Sequence, residues 1–231
     1  ILVFAEDPSA MKQRAQQLKL ASLGRLTASI AHEIRNPLGA ISHAGQLLEE
    51  TPELDQAERR LIEIICTNSD RVNEIIESVL QLSRRAPSDP QDIAVQAWLG
   101  QFLHDFCTQM GADPPIRVSV EPGGLVVRFD SGQLRQVLWN LCENGYRHSG
   151  VGAKLMLRGY LGLDGARPVL EVQDNGPGLA ADAAEHIFEP FFTTRGDGSG
   201  LGLYIARELC DANQASLAYV PGELGACFRI T

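Results

Sequence analysis

The sequence predicts a multidomain α and α+β protein: an antiparallel helical hairpin that forms a dimeric four-helix bundle with a second copy, followed by an α/β sandwich. Three observations carry this expectation. Residues 11–85 hold almost no strand signal and repeat apolar residues at helical spacing. "RRAPSDPQD", Arg84 to Asp92, gathers Pro, Ser and Asp where that periodicity stops. Beyond it, β-branched runs alternate with helical segments to the end of the chain.

Composition sets the bounds. At 231 residues and 44% hydrophobic content the chain can bury a sizeable core. A formal net charge of -9 argues against a nucleic-acid partner, which would need clustered Lys and Arg to neutralise phosphates. The five cysteines, Cys66, Cys107, Cys142, Cys210 and Cys227, are scattered and form no CxxC, so neither a disulfide framework nor a zinc site is expected. A reducing cytosol suits them. No apolar run reaches the roughly 18 to 20 residues that cross a bilayer, so direct membrane contact is not expected. The opening "ILVFAEDPSA" has no signal-like core and no initiator Met, and reads as part of a soluble piece cut from a longer protein.

In the first helix Leu23, Thr27, Ile30, Ile34, Ile41 and Leu48 share one stripe. The turn "EETPELD" leads to a second helix in which Leu54, Glu58, Leu61, Ile65, Asn68, Val72, Ile75, Val79 and Leu82 make a heptad seam. Glu58 and Asn68 interrupt it, Asn68 as a register-setting polar residue. Two helices cannot enclose a core, which predicts a homodimer through the hairpin.

In the second half, strands are expected at "IRVSVEP", "LVVRFD", "AKLMLRGYLG" and "PVLEVQDN", and at 216–220 and 226–230, with helices over 97–109, 131–148 and 201–213. The expected division is an upstream end and helical linker over 1–20, a hairpin domain over 21–86, a linker over 87–92 and the sandwich over 93–231.

With Ile30 at zero on the helical wheel, Ile34 lies at about 40° and His32 at about 200°, so His32 faces away from the stripe. Glu33 can accept a hydrogen bond from one ring nitrogen, fixing the tautomer and leaving the other lone pair free as a nucleophile. Asn36 follows one turn on. Pro37 removes its own N–H and crowds the carbonyl of Glu33, which predicts a bend there. The run "AHEIRNPL" resembles the phosphoacceptor box of dimeric two-component sensor histidine kinases. The resemblance implies that His32 takes a phosphoryl group, that Glu33 is the general base, and that Asn36 positions water to remove phosphate from a partner aspartate.

"NLCENGYRHS" sets Asn140 and Asn144 at i and i+4, so both amides share one helix face, and their carbonyl oxygens suit a hard ion such as Mg²⁺. In "DNGPGL" the strand-end Asp174 is followed by Gly176 and Gly178, which let the backbone turn tightly past a ligand. A carboxylate accepts from the amino group of adenine and offers nothing to the carbonyl of guanine, which favours ATP over GTP. In "IFEPFFTTRGDGSGLGLYIAREL", Gly198, Gly200 and Gly202 precede a helix whose free N–H groups suit phosphate. Phe188, Phe191 and Phe192 read as core that anchors a lid over 180–199, with Arg195 as its cation.

In this order the segments are similar to the N, G1, F and G2 boxes of the histidine-kinase ATP-binding domain, and the resemblance covers almost all of Leu20 to Thr231. It implies a Bergerat-type ATPase sandwich that binds ATP and Mg²⁺. On that resemblance Asp174 reads adenine, Asn144 with Asn140 holds the metal, and Arg195 and the glycine loop around Leu201 meet the phosphates. Where many members carry a "KY" pair this chain has Arg147 and His148 beside the base. ATP-hydrolysing machines of the chaperone, topoisomerase and mismatch-repair branch share the fold but carry a glutamate in place of Asn140 and lack the histidine box. A non-enzymatic dimeric scaffold would bind ATP and form no phosphoprotein. The stretch Leu20 to Glu50 looks most like sensor kinases that control type IV pilus genes, with nitrogen-regulation kinases close to them. This implies a response-regulator receiver domain as partner, a cytoplasmic setting, and a parent protein anchored in the bacterial inner membrane. "ILVFAED" would then be the last strand of a PAS-like sensory domain.

Overall fold

The computed structural model describes residues 31, 33–51, 54–83, 88–110, 115–150, 152–162, 165, 167–194, 198–222 and 224–231. His32, Arg195, the segment 1–20 and the stripe residues Leu23, Thr27 and Ile30 lie outside the described residues. The chain divides into two compact units, one comprising Ile1–Ala86 and Arg195–Ser199 and one comprising Pro87–Thr194 and Gly200–Thr231.

The helical unit holds α1 over residues 33–49 and α2, Gln56–Ser83. A reciprocal capping box starts α2: the Glu58 N–H donates to Asp55 Oδ1 at 2.8 Å and the Asp55 N–H to Glu58 Oε2 at 2.9 Å. Glu58 therefore serves the helix start and is not an interruption of the seam. Along α2 the buried residues among those described are Ile62, Ser69, Ile76 and Leu80, and Ala31 and Leu38 pack on the last two. Gly45 of α1 comes so close that a Cβ there would lie 2.5 Å from Cys66 Sγ. Arg35 pairs with Glu77 across the hairpin.

The seam read from the sequence lies one residue to the side of this contact. Leu61, Ile65 and Val72 are exposed, as are Ile34, Ile41 and Leu48. Asn68 is also exposed and donates to the carbonyl of Ile64 in its own helix at 2.7 Å. Adjacent positions such as 61/62 and 65/66 give α2 two neighbouring heptad stripes, one spent on α1 and one left facing outward. Helix α1 is helical on both sides of Pro37, which sits on an exposed face.

In the second unit β1 (Gln91–Ala94) pairs antiparallel with β3 (Val126–Phe129). β1 was not expected, and Gln91 and Asp92 fall in the segment read as linker. The main sheet has the order β2-β4-β5-β7-β6. Its strands are β2 (Ile116–Glu121), β4 (Leu155–Leu161), β5 (Pro168–Asp174), β6 (Leu217–Pro221) and β7 (Ala226–Ile230). Among the described strands only the β2–β4 pair is parallel. Period-2 alternation sends Leu155, Leu157, Leu170, Val172, Phe228 and Ile230 into the core. Helices α3 (Val95–Met110), α4 (Ser131–Ser149) and α6 (Gly202–Ala212) supply the facing residues, with Phe102 and Phe106 fully buried and Trp139 edge-on to both. A four-residue helix, α5 (Ala181–Ala184), lies in the lid segment.

Asp130 caps α4 by accepting from the Gln133 N–H at 3.0 Å, and that bond leads the causes that hold its carboxyl below the usual range. Asn213, at the end of α6, is 7% exposed and fully engaged. Its Oδ1 accepts from the Asp130 N–H at 2.8 Å, and its Nδ2 donates to Gln133 Oε1 at 2.6 Å and the Leu209 carbonyl at 2.8 Å. One buried amide thus ties the end of α6 to the start of α4. On the other side of the sheet Glu171, 3% exposed, accepts from Tyr160 Oη and Arg229 Nε at 2.7 Å each and pairs with Arg158 at 3.0 Å.

Candidate nucleotide site

The described candidates of the second unit converge where α4, the end of β5 and the start of α6 meet. Asn140 and Asn144 are both half-buried on α4. Asn140 Nδ2 donates to the Gly202 carbonyl at 3.0 Å. A Cβ at Gly202 would lie 3.8 Å from Asn144 Nδ2 and 3.9 Å from Asn140 Cγ. The first turn of α6 therefore lies within ordinary contact distance of the Asn pair, with room for a methyl group at position 202. Two side-chain carbonyl oxygens remain there as hard-ion donors.

Asp174 ends β5 and is 7% exposed. Its Oδ1 accepts from the Gly176 N–H at 2.8 Å and the Ala226 N–H at 3.0 Å. Among the described residues nothing hydrogen-bonds to Oδ2, which keeps a free acceptor for a ligand in a nearly closed site. Gly145 lets α4 approach from the other side, since a Cβ there would lie 3.2 Å from Asp174 Cβ and 2.7 Å from Leu155 Cδ2. Gly176 packs on the end of α4, where a Cβ would be 3.2 Å from the His148 carbonyl. Gly178 takes a left-handed φ of 74°.

Other candidates differ from expectation in detail. Arg147 is exposed and pairs with Glu143 at 2.8 Å, and His148 is exposed beside it. Leu201 is 0% exposed, so its side chain is core and only its backbone can serve a ligand. Gly198 is half-buried in an irregular segment. Gly200, at φ 69°, accepts from the Phe191 N–H at 2.9 Å, and a Cβ on it would collide with the backbone of Phe191 and Phe192. It fixes the backbone of Phe191 and Phe192 beside the start of α6. Phe188 and Phe192 pack on the core as expected, but Phe191 is 52% exposed. Its φ of 68° turns the side chain outward, a geometry that apolar patterning does not reveal. Of the hairpin candidates, Glu33 and Asn36 are exposed on α1. Sequence reasoning missed Gly145, Gly225 and Ala226; the glycines of "PGELGA" were the available signal.

Residues 22–87 match the His Kinase A (phospho-acceptor) domain, and residues 129–231 match the histidine kinase-, DNA gyrase B- and HSP90-like ATPase family. The chain belongs to the sensor histidine kinases. It is 51% identical over 238 residues to the sensor protein kinase PilS of Pseudomonas aeruginosa, covering 100% of this chain and 44% of that relative. The chain thus spans less than half the length of that relative. Full-length ShkA, solved in complex with AMPPNP, matches 89% of the chain and 45% of its own at 29% identity and a TM-score of 0.63. Histidine kinase ThkA, solved in complex with response regulator protein TrrA, matches 100% of the chain and 67% of its own at 25% identity and a TM-score of 0.63. Both similarities fit a phosphoacceptor hairpin followed by an ATPase sandwich. No helix among the described residues is long and apolar enough to cross a membrane.

Proposed function

We propose that this chain is the catalytic core of a sensor kinase that phosphorylates His32 from Mg-ATP and passes the phosphoryl group to an aspartate of a response regulator. The observation that carries this reading is the nearly buried Asp174 carboxylate with Oδ2 free, set beside the Asn140 and Asn144 amides. The family match at the histidine hairpin, the AMPPNP complex of ShkA and the regulator complex of ThkA support it.

In this reading Asp174 Oδ2 accepts from the adenine amino group, and Asn144, with Asn140, holds Mg²⁺. The ion, when bound, neutralises charge that builds on the transferring phosphoryl group. A ring nitrogen of His32 forms a bond to the γ-phosphorus as the bond to the β-bridging oxygen breaks, Glu33 takes the ring proton, and ADP leaves. The N–P bond then breaks as the partner aspartate forms its acyl phosphate. Asn36 orients water for the reverse step, hydrolysis of that acyl phosphate. Asn140 spends its amide N–H on the Gly202 carbonyl and is no base for water, which favours transfer over free ATP hydrolysis.

The outward stripe of Leu61, Ile65 and Val72 with Ile34, Ile41 and Leu48 supports a homodimer built as a four-helix bundle. The likeness to PilS supports a role in type IV pilus gene control. In this reading the chain ahead of β1 joins the hairpin domain to the ATP domain.

Incubation with γ-labelled Mg-ATP tests the reading. The intact chain should take up acid-labile, base-stable label, and His32→Ala and Asn144→Ala should take up none. Label retained in His32→Ala would remove His32 as the acceptor.

A further inference from the structure

The hairpin between β6 and β7 lies about fifty residues from Asp174 in sequence, yet it grips that residue's carboxylate and backbone. The Ala226 N–H reaches Asp174 Oδ1 at 3.0 Å, on the oxygen that the Gly176 N–H also holds at 2.8 Å. Gly225 has a left-handed φ of 64°, and a Cβ built on it would lie 2.6 Å from Oδ1 and collide with the Asp174 carbonyl oxygen. Two further contacts hold the hairpin in place. Gln173 Nε2 donates to the Leu224 carbonyl at 2.9 Å, and a Cβ at Gly178 would sit 3.3 Å from the Gly225 carbonyl.

A carboxylate with one oxygen fixed by two backbone donors cannot rotate freely, so its other oxygen presents a lone pair in a set direction. We infer that the β6–β7 hairpin is a positioning element for base recognition: Gly225 and the Ala226 N–H fix the Asp174 carboxylate so that Oδ2 selects a purine bearing an amino group at its six-position. This inference rests on the reading of Asp174 as the residue that meets adenine. It adds that a segment remote in sequence from Asp174 sets how strongly ATP is preferred over GTP.

The geometry makes a sharp prediction for Asp174→Asn. The two backbone donors hold the amide oxygen of the new residue and turn its NH₂ toward the base, where a donor suits the carbonyl of guanine and repels the amino group of adenine. Affinity for ATP should fall about tenfold or more while GTP gains relative to it. Gly225→Asn keeps a residue that tolerates the left-handed region but places a Cβ against Asp174. It should lower ATP affinity about tenfold, leave GTP affinity little changed, and abolish the GTP gain when combined with Asp174→Asn. Gly222→Ala, where a Cβ has 3.9 Å to Gln173 Nε2, is the control and should change neither.

Calorimetric Kd values for ATP and GTP on the full chain, with melting curves to confirm folding, read these outcomes. A merely structural role for Gly225 would reduce the folded fraction and leave the ATP to GTP ratio intact. Unchanged ATP affinity in Asp174→Asn would overturn the base-reading role itself. Loss of ATP binding in Asp174→Asn together with an unaltered ratio in folded Gly225→Asn would overturn the hairpin's role alone. Should Gly225→Asn not fold, the Ala226 amide in the wild-type chain decides. Its NMR signal should move on adding Mg-ATP and lose exchange protection in Asp174→Ala, and its constancy in both would overturn the proposal.

Discussion

Asn140 donates its side-chain amide to the carbonyl of Gly202 at 3.0 Å, joining the middle of α4 to the first residue of α6. The same α6 is tied at its other end to the start of α4 through Asn213. Helix α6 is therefore bonded to α4 at both of its own ends, and the glycine loop enters α6 from a fixed point.

Asn140→Ala removes the tie at the nucleotide end. One lost hydrogen bond of this kind costs about 1 kcal/mol, and the looser α6 start should weaken ATP binding roughly three- to tenfold. Asn144→Ala should abolish histidine phosphorylation at nearly unchanged Tm. Calorimetry and thermal melts of the two variants separate the roles; equal ATP affinity in wild type and Asn140→Ala would refute the first.

Asn213→Ala leaves the Asp130 N–H and the Gln133 side chain without their buried partner. The expected loss is about 2 to 4 kcal/mol from three bonds and one unsatisfied donor. Urea unfolding of the chain measures it, and a change below about 0.5 kcal/mol would show that water replaces the amide without cost.

The approach of Gly45 to Cys66 predicts a coupled pair. Gly45→Ala puts a Cβ within 2.5 Å of Sγ and should destabilise the hairpin by about 1 to 3 kcal/mol. Cys66→Ala in that background should recover most of the loss. A double-mutant cycle with no coupling between the two sites would rule out the contact.

Ile65→Glu and Val72→Glu place charges on the outward stripe of α2 and spare the residues that pack on α1. The doubly substituted chain should be monomeric by light scattering and keep its helical circular dichroism. Ile62→Ala, on the inward stripe, should instead lower hairpin stability by about 2 to 4 kcal/mol. A dimer that survives both charges would place the interface elsewhere.

Burial pushes the Glu171 carboxyl up, but the Tyr160 hydroxyl, Arg229 and Arg158 outweigh it and hold the group below the usual carboxylate range. A carboxylate depressed in the folded state contributes stability that is complete above its unfolded pKa and is lost as pH falls through the folded value. The acid limb of the Tm profile, below about pH 4.3, should therefore be steeper in wild type than in Glu171→Gln. Superimposable acid limbs would contradict this assignment.

Much of the architecture was legible in local pattern. Alternation marked the strands of the main sheet, and the order of the Asn helix, the Asp174 turn, the Phe-rich segment and the glycine loop pointed to the nucleotide. β1 escaped because four residues next to Pro and Asp carry too little periodicity, and it forms only by pairing with β3. The position of Phe191 escaped because a positive φ leaves no mark on an apolar count.

The sequence by itself determined which residues have the right chemistry: carboxylate, paired amides, free backbone at glycines, and two helices rich in apolar heptads. Those properties are local, set by side-chain type and by spacing along one element. Tertiary structure decided which α2 stripe meets α1, why Gly145, Gly200 and Gly225 carry no side chain, and which backbone groups hold Asp174. Each of these is a close approach between segments distant in sequence, and such contacts exist only once the core has brought the elements together.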